Sequence, residues 1–287
     1  MIQEIDTVVR FHDISRLSEL TRCIFSLANQ NYRPIHIILA VQRFSKEDIA
    51  TTRSALMCFI EGRDDLDLTI VNFDKENPKD ARSVLLNMGI SKARGKYIGF
   101  LDYDDVLYPE AYELLVDKLQ KSGSAIVFAS VRVMWLRVFD RFFYSDEPAQ
   151  SFVGSHLIDL FRSNFCPLHS YLIDRDKVSS NMLSFMPSLT IEEDYDVLLR
   201  ICARYPSDFS LIGTEIGYYY YKSDNSNTIP HDGAPLTDEL DKRYKDVRAT
   251  IEHRRRTTLV SPIVRQRLGL QPTSRPLTIR ELVDRWS

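Results

Sequence analysis

The chain has 287 residues, 44% of them hydrophobic and 27% charged, which is ordinary globular usage and excludes a disordered or low-complexity protein. Glycine is scarce, at 10 residues, and neither G-x-G-x-x-G nor G-x-x-x-x-G-K-[ST] occurs, so phosphate binding by a glycine loop is excluded. The net charge of −3 gives no sign of a nucleic-acid partner, but residues 240–287 hold 12 Lys/Arg against 5 Asp/Glu, leaving 25 against 35 in residues 1–239. An acidic body therefore carries a basic tail.

Thr7 to Phe11 is a short β-rich run, and Ser15 is placed to cap a helix with Leu17, Leu20, Ile24 and Phe25 at helical spacing. After Pro34, Ile35 to Val41 reads as a buried strand, Lys46 to Ile60 as a helix and Leu68 to Val71 as a third strand. A helix over Ala81 to Lys92 leads to a fourth strand, Tyr97 to Leu101, which runs into Asp102-Tyr103-Asp104-Asp105. Helix Glu110 to Lys121 and strand Ala125 to Val131 follow. Strand–helix alternation over 130 residues predicts an α/β fold with a mainly parallel central sheet and helices on both faces. Ligands of such sheets sit beyond the carboxyl ends of the strands, so the loops after Phe11, Val41, Val71 and Leu101 are expected to line one cleft.

Beyond Phe139 the pattern loosens. Ser155 to Phe161 is helical in spacing, Tyr171 to Ile173 and Ile216 to Tyr221 are strand-like, and Asp194 to Tyr205 is an amphipathic helix. Four widely spaced cysteines (Cys23, Cys58, Cys166, Cys202) without C-x-x-C read as buried free thiols of a reducing compartment. The longest apolar stretch, Ala125 to Phe139, is broken by Arg132 and Arg137 and is not a spanning helix. A cytoplasmic location is expected, with peripheral contact at the inner face of the membrane left open.

Asp102, Asp104 and Asp105 stand at a strand end, where their like charges repel unless a cation lies among them. Read alone, they are either a solvated acidic turn before the next helix or the ligands of a hard cation such as Mg²⁺ or Mn²⁺ shared with a diphosphate. Glu192-Glu193-Asp194-Tyr195-Asp196, at a helix start, reads either as capping or as catalysis.

Ala81-Arg82-Ser83 with Asn87, Gly89-Ile90, Ala93-Arg94-Gly95-Lys96-Tyr97-Ile98-Gly99-Phe100-Leu101-Asp102-Tyr103-Asp104-Asp105 and Pro109 resembles the family 2 glycosyltransferases of the GT-A fold. Ser26-Leu27-Ala28-Asn29-Gln30-Asn31-Tyr32 and Glu193-Asp194-Tyr195-Asp196 are similar to further elements of that family, in the same order, over about residues 5–225. The resemblance implies an inverting, metal-dependent enzyme that moves a sugar from a nucleotide diphosphate sugar to a glycan or lipid-linked glycan hydroxyl in bacterial surface polysaccharide synthesis. Asp104 and Asp102 would hold Mn²⁺ or Mg²⁺ against the diphosphate, with His231 as a further candidate ligand. Asp194 would be the general base, supported by Glu193, while Arg82 and Tyr103 would line the nucleotide-sugar pocket with Asp102.

The chain departs from the family at two places. Ala40-Val41-Gln42-Arg43 replaces the usual Asp-Asp-Gly-Ser, so Gln42 is expected to read a base edge through its amide. Arg10-Phe11-His12-Asp13 replaces Pro-x-Tyr-Asn, so Phe11 is expected to stack on the base, with Asp13 as an alternative reader.

The expected organisation is a GT-A domain over 1–239 (nucleotide-sugar half 1–130, acceptor half 131–239) and a basic helical tail over 240–287. The tail's mixed basic and apolar residues suit an anionic membrane, packing on the enzyme, or a homo-oligomer contact. Two other classes compete: a catalytically silent GT-A domain that binds glycan or a partner enzyme, and a nucleotidyltransferase, whose glycine- and lysine-rich N-terminal loop is absent.

Overall fold

The computed structural model describes residues 3–139, 142–145, 147–222, 238–271 and 275–286. In chain order its elements are β1 (Ile5–Phe11), α1 (Leu17–Ala28), β2 (Ile35–Gln42), α2 (Lys46–Ile60), β3 (Leu66–Phe73), α3 (Arg82–Ile90), β4 (Tyr97–Asp102), β5 (Val106–Leu107), α4 (Ala111–Ser122) and β6 (Ile126–Val138). There follow β7 (Phe143–Tyr144), α5 (Leu157–Arg162), β8 (Tyr171–Asp174), α6 (Glu193–Arg204), β9 (Ser207–Lys222), α7 (Asp238–Thr257), β10 (Leu259–Val260), α8 (Pro262–Arg267), β11 (Leu277–Thr278) and α9 (Ile279–Arg285).

One large sheet runs β3-β2-β1-β4-β8-β6-β9-β5, with β7 paired onto β6. The four strands β3, β2, β1 and β4 are parallel, as the strand–helix alternation predicts. β8 is antiparallel to both β4 and β6, while β6 and β9 run parallel. The α/β class and its mainly parallel sheet are thus as expected.

Two apolar layers cover the sheet because successive strand residues face opposite sides. Ile5 and Val9 of β1 join a cluster with Leu20, Ile24 and Leu27 of α1, Leu56 of α2 and Leu115 of α4. Val8, between them, joins the opposite cluster with Leu86 of α3 and Val197, Leu198 and Ile201 of α6. α3 lies so close to β1 that a Cβ on Gly89 would meet Val8 Cγ1 at 2.2 Å.

β6 and β9 are much longer than the sequence pattern suggests. Their pairing shifts register at three places between Val127 and Arg132, and such irregularities break the two-residue alternation that reveals a strand. Asp13, not Ser15, caps the entry to α1: its carboxylate accepts from the Ser15 N–H at 3.0 Å and the Ser15 hydroxyl at 2.6 Å. Cys23, Cys166 and Cys202 are buried thiols, but Cys58 is exposed on α2, contrary to expectation.

The C-terminal elements pack on the body. Val247, Ile251, Val260, Val264, Leu277, Ile279 and Leu282 are buried in the same cluster as α6. Some of the α7 arginines turn inward as well: Arg254 Nε donates to Asp196 Oδ1 at 2.7 Å, and Arg255 Nη2 donates to the Tyr195 hydroxyl at 2.7 Å. Arg243 Nη2 reaches Asp80 Oδ2 at 2.8 Å. No helix among the described residues is long and apolar enough to cross a membrane.

Candidate active site

The carboxyl ends of β1 and β4 lie side by side, with Arg10 in register with Asp102. Arg10 faces the α6 side of the sheet, two residues beyond Val8. Its guanidinium holds Asp102 with two nitrogens, Nε to Oδ1 and Nη2 to Oδ2 at 2.9 Å, and reaches Glu193 Oε1 through Nη1 at 2.5 Å. Such a fork fixes orientation as well as charge. Burial works against the charged form of Asp102, but Arg10 outweighs it and holds the carboxyl below its ordinary range. Burial likewise opposes the Arg10 charge, and Asp102 and Glu193 more than restore it.

Asp194 follows Glu193 in the first turn of α6. Its Oδ1 accepts from the Tyr195 N–H at 2.8 Å, and Asn164 Nδ2 lies 3.4 Å from both carboxylate oxygens. Burial, and then the neighbouring charge of Glu193, push this carboxyl up to about 7. A base near neutrality is well matched to proton transfer at physiological pH. The turn is entered through Glu192 at φ 55°, a left-handed conformation unusual for a side chain larger than asparagine, and its cost marks the spot as built for position.

Asp104 is held by a lysine. Lys222, the last residue of β9, places Nζ 2.7 Å from Asp104 Oδ2 and also pairs with Glu19 of α1. The lysine is 3% exposed and its ammonium lies 5.1 Å from the centre of the Tyr103 ring. Arg22 of α1 donates to the Asp104 carbonyl at 2.7 Å and stacks over Tyr220, 4.7 Å from its ring centre. Asp105 is buried: it accepts from the Tyr220 N–H at 3.0 Å, and burial followed by the charges of Asp104 and Asp102 raises its carboxyl well above the ordinary range. His169 lies 3.4 Å from Asp105 and parallel to the Tyr219 ring, and burial lowers it to about 4, so it is neutral at pH 7.

A divalent cation at Asp102 and Asp104 does not fit this arrangement. Both carboxylates are already matched to cations of the chain, Arg10 and Lys222. Among the described residues, the carboxylate and imidazole atoms that converge within 4.8 Å are those of Glu4, Asp6 and His36, not those of the strand-end aspartates. That group sits at the opposite end of β1 and is a closed network: Asp6 accepts from His36 Nδ1 at 2.8 Å and from the Arg94 and Gly95 N–H groups, and Glu4 pairs with Arg94. His231, the third expected ligand, lies outside the described residues.

The expected nucleotide readers fare unevenly. Phe11 is 0% exposed, its ring covered by Phe44 and Tyr103 at centroid distances of 5.3 and 5.2 Å, so it has no face to offer a base. A strand in the middle of the sheet buries both of its sides, and the resemblance could not reveal that. Gln42 is engaged internally: Nε2 donates to the Lys79 carbonyl at 2.8 Å and Oε1 accepts from the Ala81 N–H at 3.2 Å. Its neighbour Arg43, at φ 56°, ties down the same loop through the carbonyls of Lys75, Glu76 and Pro78. Asp13 is spent on its cap. Tyr103 is largely buried between Phe11 and Lys222. Arg82, at the start of α3, binds Asp80 Oδ1 at 3.0 Å and lies near enough to Asp102 and His12 to act on both charges.

Arg10 and Lys222 are among the site residues that the sequence reading misses. Arg10 had a signal, since it interrupts the apolar run of β1 at the strand's last turn. Lys222 ends an aromatic strand, and nothing local distinguishes it from a solvated strand end.

Residues 15–134 match the family model described as "Glycosyl transferase family 2". A curated relative, "Glycosyltransferase GlyG" of Streptococcus pneumoniae serotype 4 (strain ATCC BAA-334 / TIGR4), is 28% identical over 130 residues, 45% of this chain and 40% of that protein. Among solved structures, S. aureus TarS 1-349 in complex with UDP-GlcNAc superposes with a TM-score of 0.55 at 11% identity, over 86% of this chain and 66% of that one. The mannosyltransferase PcManGT from Pyrobaculum calidifontis, in complex with GDP-Man and Mn2+, gives 0.52 at 12% identity, over 81% and 59%. The chain thus spans less than two thirds of the length of these relatives, and at such identities the structural likeness establishes the GT-A-like fold.

Proposed function

We propose that this chain, whose residues 15–134 match the glycosyl transferase family 2 model, is a glycosyltransferase of that kind and moves a sugar from a nucleotide diphosphate sugar to a glycan or lipid-linked glycan hydroxyl, with inversion at the anomeric carbon. The observation that carries the reading is the Asp194 carboxyl, fixed in the first turn of α6 and lifted to about 7 beside the Glu193–Arg10–Asp102 chain. Asp194 takes the proton of the acceptor hydroxyl as that oxygen attacks the anomeric carbon from the side opposite the departing diphosphate. Glu193 is a positioning residue: anchored on Arg10, it keeps a negative charge beside Asp194 and so keeps that base near neutrality. Arg82 is the candidate contact for the nucleotide diphosphate, since it lies near both strand ends.

Residues 1–239 form the transferase unit in this reading, and 240–287 a packed appendage; the inward-turned Arg243, Arg254 and Arg255 support that over a membrane-binding tail. The proposed acceptor, within bacterial surface polysaccharide, follows from the family resemblance, and GlyG of Streptococcus pneumoniae is a bacterial relative. A silent GT-A domain is the second reading, favoured by Phe11 and Gln42, whose groups the fold itself consumes. One experiment separates the two. The protein is incubated with UDP- and GDP-sugars and glycan acceptors, and free nucleoside diphosphate and the anomeric configuration of the product are measured. Transfer with inversion, lost in Asp194→Asn while donor binding persists, supports the first reading. Transfer that survives Asp194→Asn overturns the base assignment, and donor binding without transfer favours the silent domain.

A further inference from the structure

We propose that the cation which shields the strand-end aspartates from a bound diphosphate is built into this chain as Lys222, together with Arg10, so that donor binding needs no divalent metal. This rests on the nucleotide-sugar reading above and deepens it.

Lys222 sits where a metal ligated by Asp104 would be in competition with it. Its Nζ is 2.7 Å from Asp104 Oδ2, and the second carboxylate, Glu19, comes from α1 on the other side. A buried ammonium is costly unless its partners are close and fixed, and here both are. The lysine is carried by β9, which pairs in parallel with β6 over Arg132 to Leu136, with Leu136 opposite Lys222 itself. β5 pairs with the same strand from the other edge at Gly217 and Tyr218. A Cβ on Gly217 would meet the Val106 carbonyl at 2.3 Å, so the approach of these two strands depends on that glycine.

The neighbouring aspartate is treated alike. Arg10 covers both oxygens of Asp102, and its remaining nitrogen is used on Glu193. Asp102 and Asp104 therefore each already face a cation of the protein. A divalent ion added beside Asp104 would meet the Lys222 ammonium at close range, where like charges repel in a site of low dielectric. Arg22, which donates to the Asp104 carbonyl, and Arg82, which pairs with Asp80, bring further positive charge to the strand ends for a diphosphate.

The test is calorimetric binding of UDP and of GDP to the full chain, in EDTA and in excess Mn²⁺, for the wild type, Lys222→Arg and Lys222→Met. The wild type is expected to bind one of these nucleotides with the same affinity in both buffers, within roughly twofold. Lys222→Arg should keep that behaviour. Lys222→Met, which exposes Asp104 and Glu19 to each other, should bind roughly tenfold or more weakly in EDTA and recover with Mn²⁺. If Lys222→Met does not fold, the wild-type comparison decides alone. Wild-type binding that is roughly tenfold tighter in Mn²⁺ than in EDTA overturns the inference and leaves the transferase reading intact. Absence of binding by either nucleotide in both buffers overturns that reading, and this inference with it.

Discussion

Arg10 and Asp102, paired across neighbouring parallel strands, share two nitrogen–oxygen contacts, and the third arm of the same guanidinium ends on Glu193. One side chain therefore fixes the strand-end carboxylate relative to the helix that carries Asp194. Replacing Arg10 by Gln strands two carboxylates in a partly buried site, which should cost about 3–5 kcal/mol of stability at neutral pH. In the wild type the Asp102 carboxyl is depressed, so its contribution is present above the ordinary carboxyl range and lost as the pH falls through the depressed value. The variant should therefore lose most of its stability deficit as the pH falls below the ordinary carboxyl range. Urea melts of both proteins across pH check this.

As the proposed base, Asp194 should make the transfer rate pH-dependent. Its carboxyl must be ionised to accept a proton, so kcat/KM should rise through about pH 7 and level off above it. Asp194→Asn should lower kcat by about 10²–10⁴-fold and abolish that limb.

The same residue sets a stability signature of opposite sense. Burial and Glu193 raise the folded carboxyl to about 7, so the folded state binds the extra proton and stability falls as pH rises from the ordinary carboxyl range to about 7. Asp194→Asn removes this burden. Its Tm should exceed that of the wild type by about 2–6 °C above pH 7, with the difference gone near pH 4, readable by differential scanning fluorimetry.

Most of the parallel half was legible because each of its strands is short and regular, and the motif at Asp102–Asp105 stands where a strand must end. What escaped was the chemistry that joins distant segments. Arg10 and Lys222 gain their meaning from partners 92 and 183 residues away, or 118 in the case of Asp104, and no local pattern encodes such a meeting. The resemblance aligns Phe11 and Gln42 with ligand contacts. Packing at Phe44 and the Lys79 carbonyl claims them instead. β6 and β9 were seen only in part because their register shifts interrupt the alternation.

Gly89 tests the packing of α3, the helix that presents Arg82. Its missing side chain lets the helix lie on Val8, which is fully buried and β-branched and has no room to retreat. Gly89→Ala should cost about 1–3 kcal/mol through overpacking, measured as a lower urea midpoint with an unchanged m-value.

Asp196 is gripped from two directions, by Arg200 of its own helix at 2.9 Å and by Arg254 of α7 at 2.7 Å. Arg254→Ala leaves Arg200 in place, so the loss should be about 1–2 kcal/mol rather than that of a buried charge left wholly unpaired. A drop in chemical stability of that size, without loss of secondary structure by circular dichroism, is the expected result.

The inward-facing arginines of α7 also bear on how the protein comes into being. α6 carries Asp194, yet the residues that hold Tyr195 and Asp196 are translated about sixty positions later, and the apolar wall behind the helix later still. Domains fold progressively during synthesis, but here the order of emergence runs against the order of assembly. While α6 waits for α7 to α9, the part of its apolar surface that those elements cover stays open, although Val8 and Leu86 can already pack on the rest, so an association-prone patch persists until they emerge.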